Sequence, residues 1–97
     1  MRSSLAEIGI KDGYWIHDNG MVEFPDGSMR KGSPQGPKRW LTVKLPLKAG
    51  GVRAYQVHRL VAMAFIPNPD DRRYVAFRDK DLNNTHVSNL FWKASFR

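Results

Sequence analysis

Eight glycines and six prolines punctuate this 97-residue chain. That density disfavours long helices and favours short elements joined by tight turns. Residues 13–24, GYWIHDNGMVEF, predict two short strands around Asp18-Asn19-Gly20, because Asn-Gly between apolar runs is a strong hairpin signal. Pro25-Asp26-Gly27-Ser28 predicts a second turn, with a third strand through Met29 and Arg30. Ser33-Pro34-Gln35-Gly36-Pro37 reads as a loop. Over residues 39–45, RWLTVKL, Trp40, Thr42 and Lys44 face one way and Leu41, Val43 and Leu45 the other, as in a half-buried strand. Residues 53–57 form its hairpin partner, with Arg53, Tyr55 and Val57 on one face. Only one helix stands out. Val57, Leu60, Val61, Ala64 and Phe65 recur at helical spacing over residues 57–65, and Pro67 and Pro69 stop it. Residues 73–77 and 89–92 read as strands, and residues 79–86 as a polar loop. The expected fold is α+β: short antiparallel hairpins around one central helix.

The length fits one domain, 1–97, whose small size leaves a thin core. The chain contains no cysteine, which excludes disulfides, zinc–thiolate sites and a cysteine nucleophile. No apolar run is long enough to span a bilayer. The N-terminus carries no secretory pattern, so a cytoplasmic protein is expected.

Charge is the informative part. The net charge is +7, but it is unevenly spread. Residues 1–26 are net acidic. Residues 27–69 hold Arg30, Lys31, Lys38, Arg39, Lys44, Lys48, Arg53 and Arg59 with no acid at all. Arg72, Arg73, Arg78 and Lys80 flank that stretch. A long acid-free basic stretch repels itself, so it points to a polyanion partner, most often nucleic acid. Double-stranded DNA is the expected partner, met through those twelve side chains. A ribbon such as 39–57 fits the major groove.

Residues 55–92 carry more specific text: YQVHRLVAMAFIPNPDDRRYVAF, followed by DKDLNNTHVSNLFW. This segment resembles the HNH homing endonucleases of phages and mobile introns. Residues 13–54 resemble, more weakly, the β-rich module that precedes many such nuclease domains. The resemblance divides the chain into a basic module (13–54) and an HNH-like ββα-metal motif (55–97). It implies metal-assisted phosphodiester hydrolysis, in which a histidine base activates water and a cation neutralises developing charge. Carried over by position, the base falls on Phe77 and the neighbouring metal ligand on Ala76. Neither can do that chemistry. The loop asparagine is retained as Asn89. The helical ligand would fall just past Arg97, so the motif reads as degenerate and truncated.

Asp79, Asp81, Asn83 and His86 offer other donors. The spacing of the first three matches the start of a calcium loop, but Leu90 stands where the closing glutamate belongs. They read as a turn held by Asx side chains, with a rebuilt metal site as the alternative. His58 reads as a packed, hydrogen-bonded histidine, and neither His17 nor His86 has a nucleophile partner. Phe77 is expected to fill the vacated pocket, with an exposed aromatic used for partner contact as the alternative. Trp92 reads as core, while Trp40 could stack or pack.

The expectation is therefore a catalytically inactive, HNH-like DNA-binding protein of phage type, without metal or cofactor, acting by occupancy. The alternatives are an inhibitor of a host nucleic-acid enzyme, such as RNA polymerase or a defence nuclease, and a residual nuclease.

Overall fold

The computed structural model describes residues 1–94. Nine short strands and one helix follow in order: β1 (Arg2–Ser4), β2 (Trp15–His17), β3 (Val22–Glu23), β4 (Met29–Arg30), β5 (Ser33–Gln35), β6 (Trp40–Pro46), β7 (Val52–Gln56), α1 (Val57–Phe65), β8 (Tyr74–Phe77) and β9 (Leu90–Lys93). They form three antiparallel sheets, β1-β2-β3-β4, β5-β6-β7 and β8-β9. The α+β expectation holds.

Helix α1 spans the residues its apolar spacing predicts, and it packs against strands of all three sheets. That central position widens its buried face. His58 and Ala62 are buried beside Val57, Leu60 and Val61, whereas Ala64, which the spacing places on the apolar stripe, is exposed. Around the helix lie Leu5, Ile10, Ile16, Val22, Leu41, Val43, Leu45 and Leu90, forming one core. In β6 the alternation is as expected. Leu41, Val43 and Leu45 are buried, while Trp40, Thr42 and Lys44 point outward.

Several expectations change. Residues 33–35 are a strand rather than a loop: Pro34 pairs opposite Leu41 at the sheet edge, where a residue without an N–H is tolerated. β1 adds a further strand beside β2. The last strand starts at Leu90, because Val87–Asn89 form a 3₁₀ turn. The β2–β3 turn has one left-handed residue, Gly20 at φ 89°, so Asn19 instead holds the turn with its side chain, Oδ1 accepting from Met21 N.

Gly20 also lets the β2–β3 turn pack closely on the 79–86 loop. A Cβ there would overlap Thr85, a buried residue of the 79–86 loop, and Val87 N donates to Asp18 O at 2.7 Å. The third element of the ββα motif, expected after Trp92 and past Arg97, lies outside the described residues.

Candidate nucleic-acid interface

The outward face of β5-β6-β7 is paired as Ser33–Thr42–Gln56 and Gln35–Trp40 across the strands, with Lys44 opposite Ala54. Three adjoining hollows run over this face and off its end. The first is bounded by Arg30, Lys31, Gln35, Thr42, Lys44 and Ala54. The second continues over Gln35, Thr42, Ala54 and Gln56 to Lys38 and Trp40. The third is a cleft of about 670 Å³ that shares Lys38, Trp40 and Gln56 and is closed by α1 and the β8–β9 hairpin. Its walls include His58, Arg59, Arg73, Tyr74, Phe77, Lys80 and Lys93. Together they make one groove. Among the described residues, eight Lys and Arg side chains line it and no carboxylate does.

Seven of the twelve sequence-predicted cations therefore meet in this groove: Arg30, Lys31, Lys38, Lys44, Arg59, Arg73 and Lys80. Five lie elsewhere. Arg53 pairs opposite Leu45 on the inward-facing register of the sheet, and its guanidinium sits 5.5 Å from the Tyr55 ring. Lys48 approaches Asp12 at 3.8 Å, and Arg72 approaches Asp70 at 3.6 Å. Arg78 covers the Phe91 ring at 5.1 Å. Arg39, at φ 59°, lines none of these hollows. Lys93 was missed by the sequence reading. Its register opposite Tyr74 brings it to the cleft, and strand alternation from Leu90 was the available signal.

The cleft occupies the position that the HNH resemblance assigns to catalysis. Phe77 is half-buried against the core and also lines the cleft. His58 is 3% exposed, with ring centroids 5.0 Å from Phe77 and 5.3 Å from Trp40. It is packed as expected but not fully hydrogen-bonded, since its Nδ1 is buried without a partner. Burial, reinforced by the Arg59 charge, pushes the imidazole down to about 4, so it is neutral near pH 7. Trp40 is half-buried and lines both the cleft and the adjoining hollow. Trp92 is half-buried too. Its Nε1 donates to Ile66 O at 3.0 Å.

The 79–86 loop is a closed hydrogen-bond system. Asn89 Nδ2 donates to Asp79 Oδ1 (2.8 Å) and Asn84 O (2.9 Å), and Asn89 Oδ1 accepts from Asp79 N (3.0 Å). Asp79 also accepts from Asn84 Nδ2 and Asp81 N. The Asn84 amide, then the Asp81 N–H and Asn89, hold the Asp79 carboxyl below its ordinary value. Asp81 accepts from Asn83 N, and His86 Nδ1 from Ser88 N. The residues here do not fit a divalent cation. Asn89 spends its amide on the loop, Asp79 spends both oxygens there, and Ala76 and Phe77 offer no donor. Among the described residues, no three His, Asp or Glu side chains gather in a way that could hold a metal ion. No described helix is long and apolar enough to cross a membrane.

No protein-family model matches the chain, and no curated protein matches it. Among solved structures, the chain superposes on the HNH homing endonuclease I-HmuI, in the structure describing its DNA binding and cleavage, with a TM-score of 0.79 and 23% identity. The match covers 96% of this chain and 52% of that one, so the chain spans about half the length of its structural neighbour. The chain has the fold of that part of an HNH homing endonuclease.

Proposed function

We propose that this protein binds double-stranded DNA along the acid-free groove and holds it without cutting it. The observation that carries this reading is the groove itself, in which, among the described residues, eight cations converge and no carboxylate intrudes. Phosphate neutralisation by Lys and Arg dominates DNA affinity. Three strands about 4.8 Å apart span roughly 10 Å, which suits a major groove about 12 Å wide. Arg30, Lys31 and Lys44 at one end and Lys38, Arg73 and Lys80 at the other would then meet the phosphates. The shared fold with I-HmuI, a protein described by its DNA binding and cleavage, supports the same partner class.

The cleft lining supports occupancy rather than cleavage. Phe77 cannot accept a proton and Ala76 cannot ligate a cation, while the one imidazole among the described residues of the cleft wall is buried and neutral. DNA bound there would be shielded from other proteins. Incubation with supercoiled plasmid in Mg²⁺ and in Mn²⁺ tests both halves of the reading. The expected result is a retarded plasmid that stays supercoiled. Metal-dependent nicking by the purified protein would overturn the non-cutting half, and absence of retardation would overturn the DNA half.

A further inference from the structure

We propose that the cleft between α1 and β8 binds an unpaired nucleoside 5′-phosphate, its base lying against the Trp40 indole beside His58 and its phosphate among Lys38, Arg73 and Lys80. The site shares Lys38, Arg73 and Lys80 with the proposed duplex groove, yet a mononucleotide could occupy it even if no duplex entered the groove.

Three properties of the cleft select this ligand class. Its volume, about 670 Å³, lies within the range of sites that enclose small molecules. Its lining pairs flat aromatic surface, from Trp40, Tyr74 and Phe77, with cations and no acid, which suits a planar anion. Finally, His58 lines the cleft beside Trp40 and Phe77, and its Nδ1 is buried with no hydrogen-bond partner. Leaving such an atom unmet is unfavourable. The Trp40 and Phe77 rings flank the imidazole at 5.3 and 5.0 Å between centroids. A base edge entering past Trp40 carries both donors and acceptors, so it complements either tautomer of the neutral ring. A fatty acid would match the cations and the apolar wall but leave that nitrogen unmet.

The polar and aromatic parts are also placed in series. Lys38, Trp40 and Gln56 line both the cleft and the hollow beside it, so a base swung out of a strand lying on the sheet would reach Trp40 first. A free mononucleotide presents the same chemistry, and the experiment separates the two sources.

In the first arm, dAMP and 2-deoxyribose 5-phosphate are titrated separately into the full chain, followed by the NMR signals of the His58 ring. The expected result is saturable movement of those signals by dAMP, with dAMP binding at least about fivefold more tightly than the sugar phosphate, the lower end of base–aromatic stacking. In the second arm, a duplex bearing a single bulged 2-aminopurine is compared with its fully paired counterpart. Tighter binding of the bulged duplex by about the same factor, with quenched 2-aminopurine fluorescence, assigns the site to a base within DNA. A dAMP response with no preference for the bulge supports the site and assigns it to a free nucleotide. Trp40→Leu should remove the base-dependent gain in both arms. Equal binding of dAMP and sugar phosphate together with equal binding of both duplexes overturns the proposal. Paired duplex binding would survive that result, so failure here is distinguishable from failure of the groove.

Discussion

The imidazole of His58 stands 5.0 Å, centroid to centroid, from the phenyl ring of Phe77. One residue comes from α1 and the other from β8. In the arrangement that the HNH resemblance implies, β8 would present an imidazole to the scissile phosphate. Here β8 presents a phenyl ring, and the imidazole belongs to the helix, buried and aromatic-flanked. The position to which the resemblance assigns the base is packed against the core.

That packing makes stability depend on pH. The folded pKa of His58 is about 4, against an ordinary value of 6.5, so the unfolded state binds the proton more readily. The stability it confers is fully present above about pH 6.5 and declines as pH falls toward 4. Two and a half units correspond to about 3 kcal/mol. Urea unfolding at about pH 7.5 and about pH 4.5 should show most of that loss, and His58→Leu should flatten the profile in this window. Glu23, Asp26 and Asp79 also have depressed pKa values, so their losses come below the ordinary carboxylate range, at lower pH. A wild-type curve that is flat across this window would refute the buried neutral imidazole.

Phe77→Ala removes a ring that is half-buried. Full burial costs about 3–5 kcal/mol on truncation to alanine, so about 2 kcal/mol is expected here. The variant should fold, melt several degrees lower, and relax the packing around His58. Chemical denaturation measures the loss, and a melting temperature unchanged from wild type would show that the ring contributes only surface.

Asn89→Ala should release the 79–86 loop. Three side-chain hydrogen bonds vanish, and their loss costs about 2–3 kcal/mol. Amide hydrogen exchange should accelerate at Asp79 and across the loop while α1 stays protected. Unchanged exchange at Asp79 would contradict the role given to Asn89.

Gly20→Ala should be among the most damaging small substitutions. Its backbone is left-handed at φ 89°, and the new Cβ would lie 2.8 Å from Thr85 Cβ as well as against the Thr85 hydroxyl. A loss above about 2 kcal/mol is expected from strain and overlap together. Gly27→Ala, at a similar φ with open space around it, isolates the conformational part and should cost less. Equal losses would remove the interlock between the β2–β3 turn and the 79–86 loop.

Helix α1 was legible because its apolar periodicity is strong and two prolines end it. The hairpins were legible from their turn residues. β1 and β5 were not, since three-residue strands carry too little alternation and Pro34 signals a loop unless its edge position is known. The charges of the groove were legible as a list but not as a surface. Arg53 and Lys44 belong to the same hairpin, yet Arg53 pairs with Leu45 and Lys44 with Ala54, so they sit on opposite faces. Lys48 was matched with Asp12 only by the fold. The unmet nitrogen of His58 depends on Trp40 and Phe77, which are distant in sequence.

The salt dependence of duplex binding tests the central claim most directly. Each phosphate neutralised contributes about −0.9 to the slope of log K against log salt, so with roughly half of the eight groove cations engaged the slope should be about −3 to −5. Fluorescence anisotropy of a labelled duplex, titrated from ~50 to ~300 mM salt, reads it. Replacing Lys38, Lys44, Arg73 and Lys80 together by alanine should flatten the slope to about −2 or shallower, since Arg30 and Lys31 remain, whereas Lys48→Ala with Arg53→Ala, outside the groove, should leave it at the wild-type value. No binding at ~50 mM salt, where phosphate contacts are strongest, or a slope flattened as much by the Lys48 and Arg53 pair as by the groove set, would contradict the account.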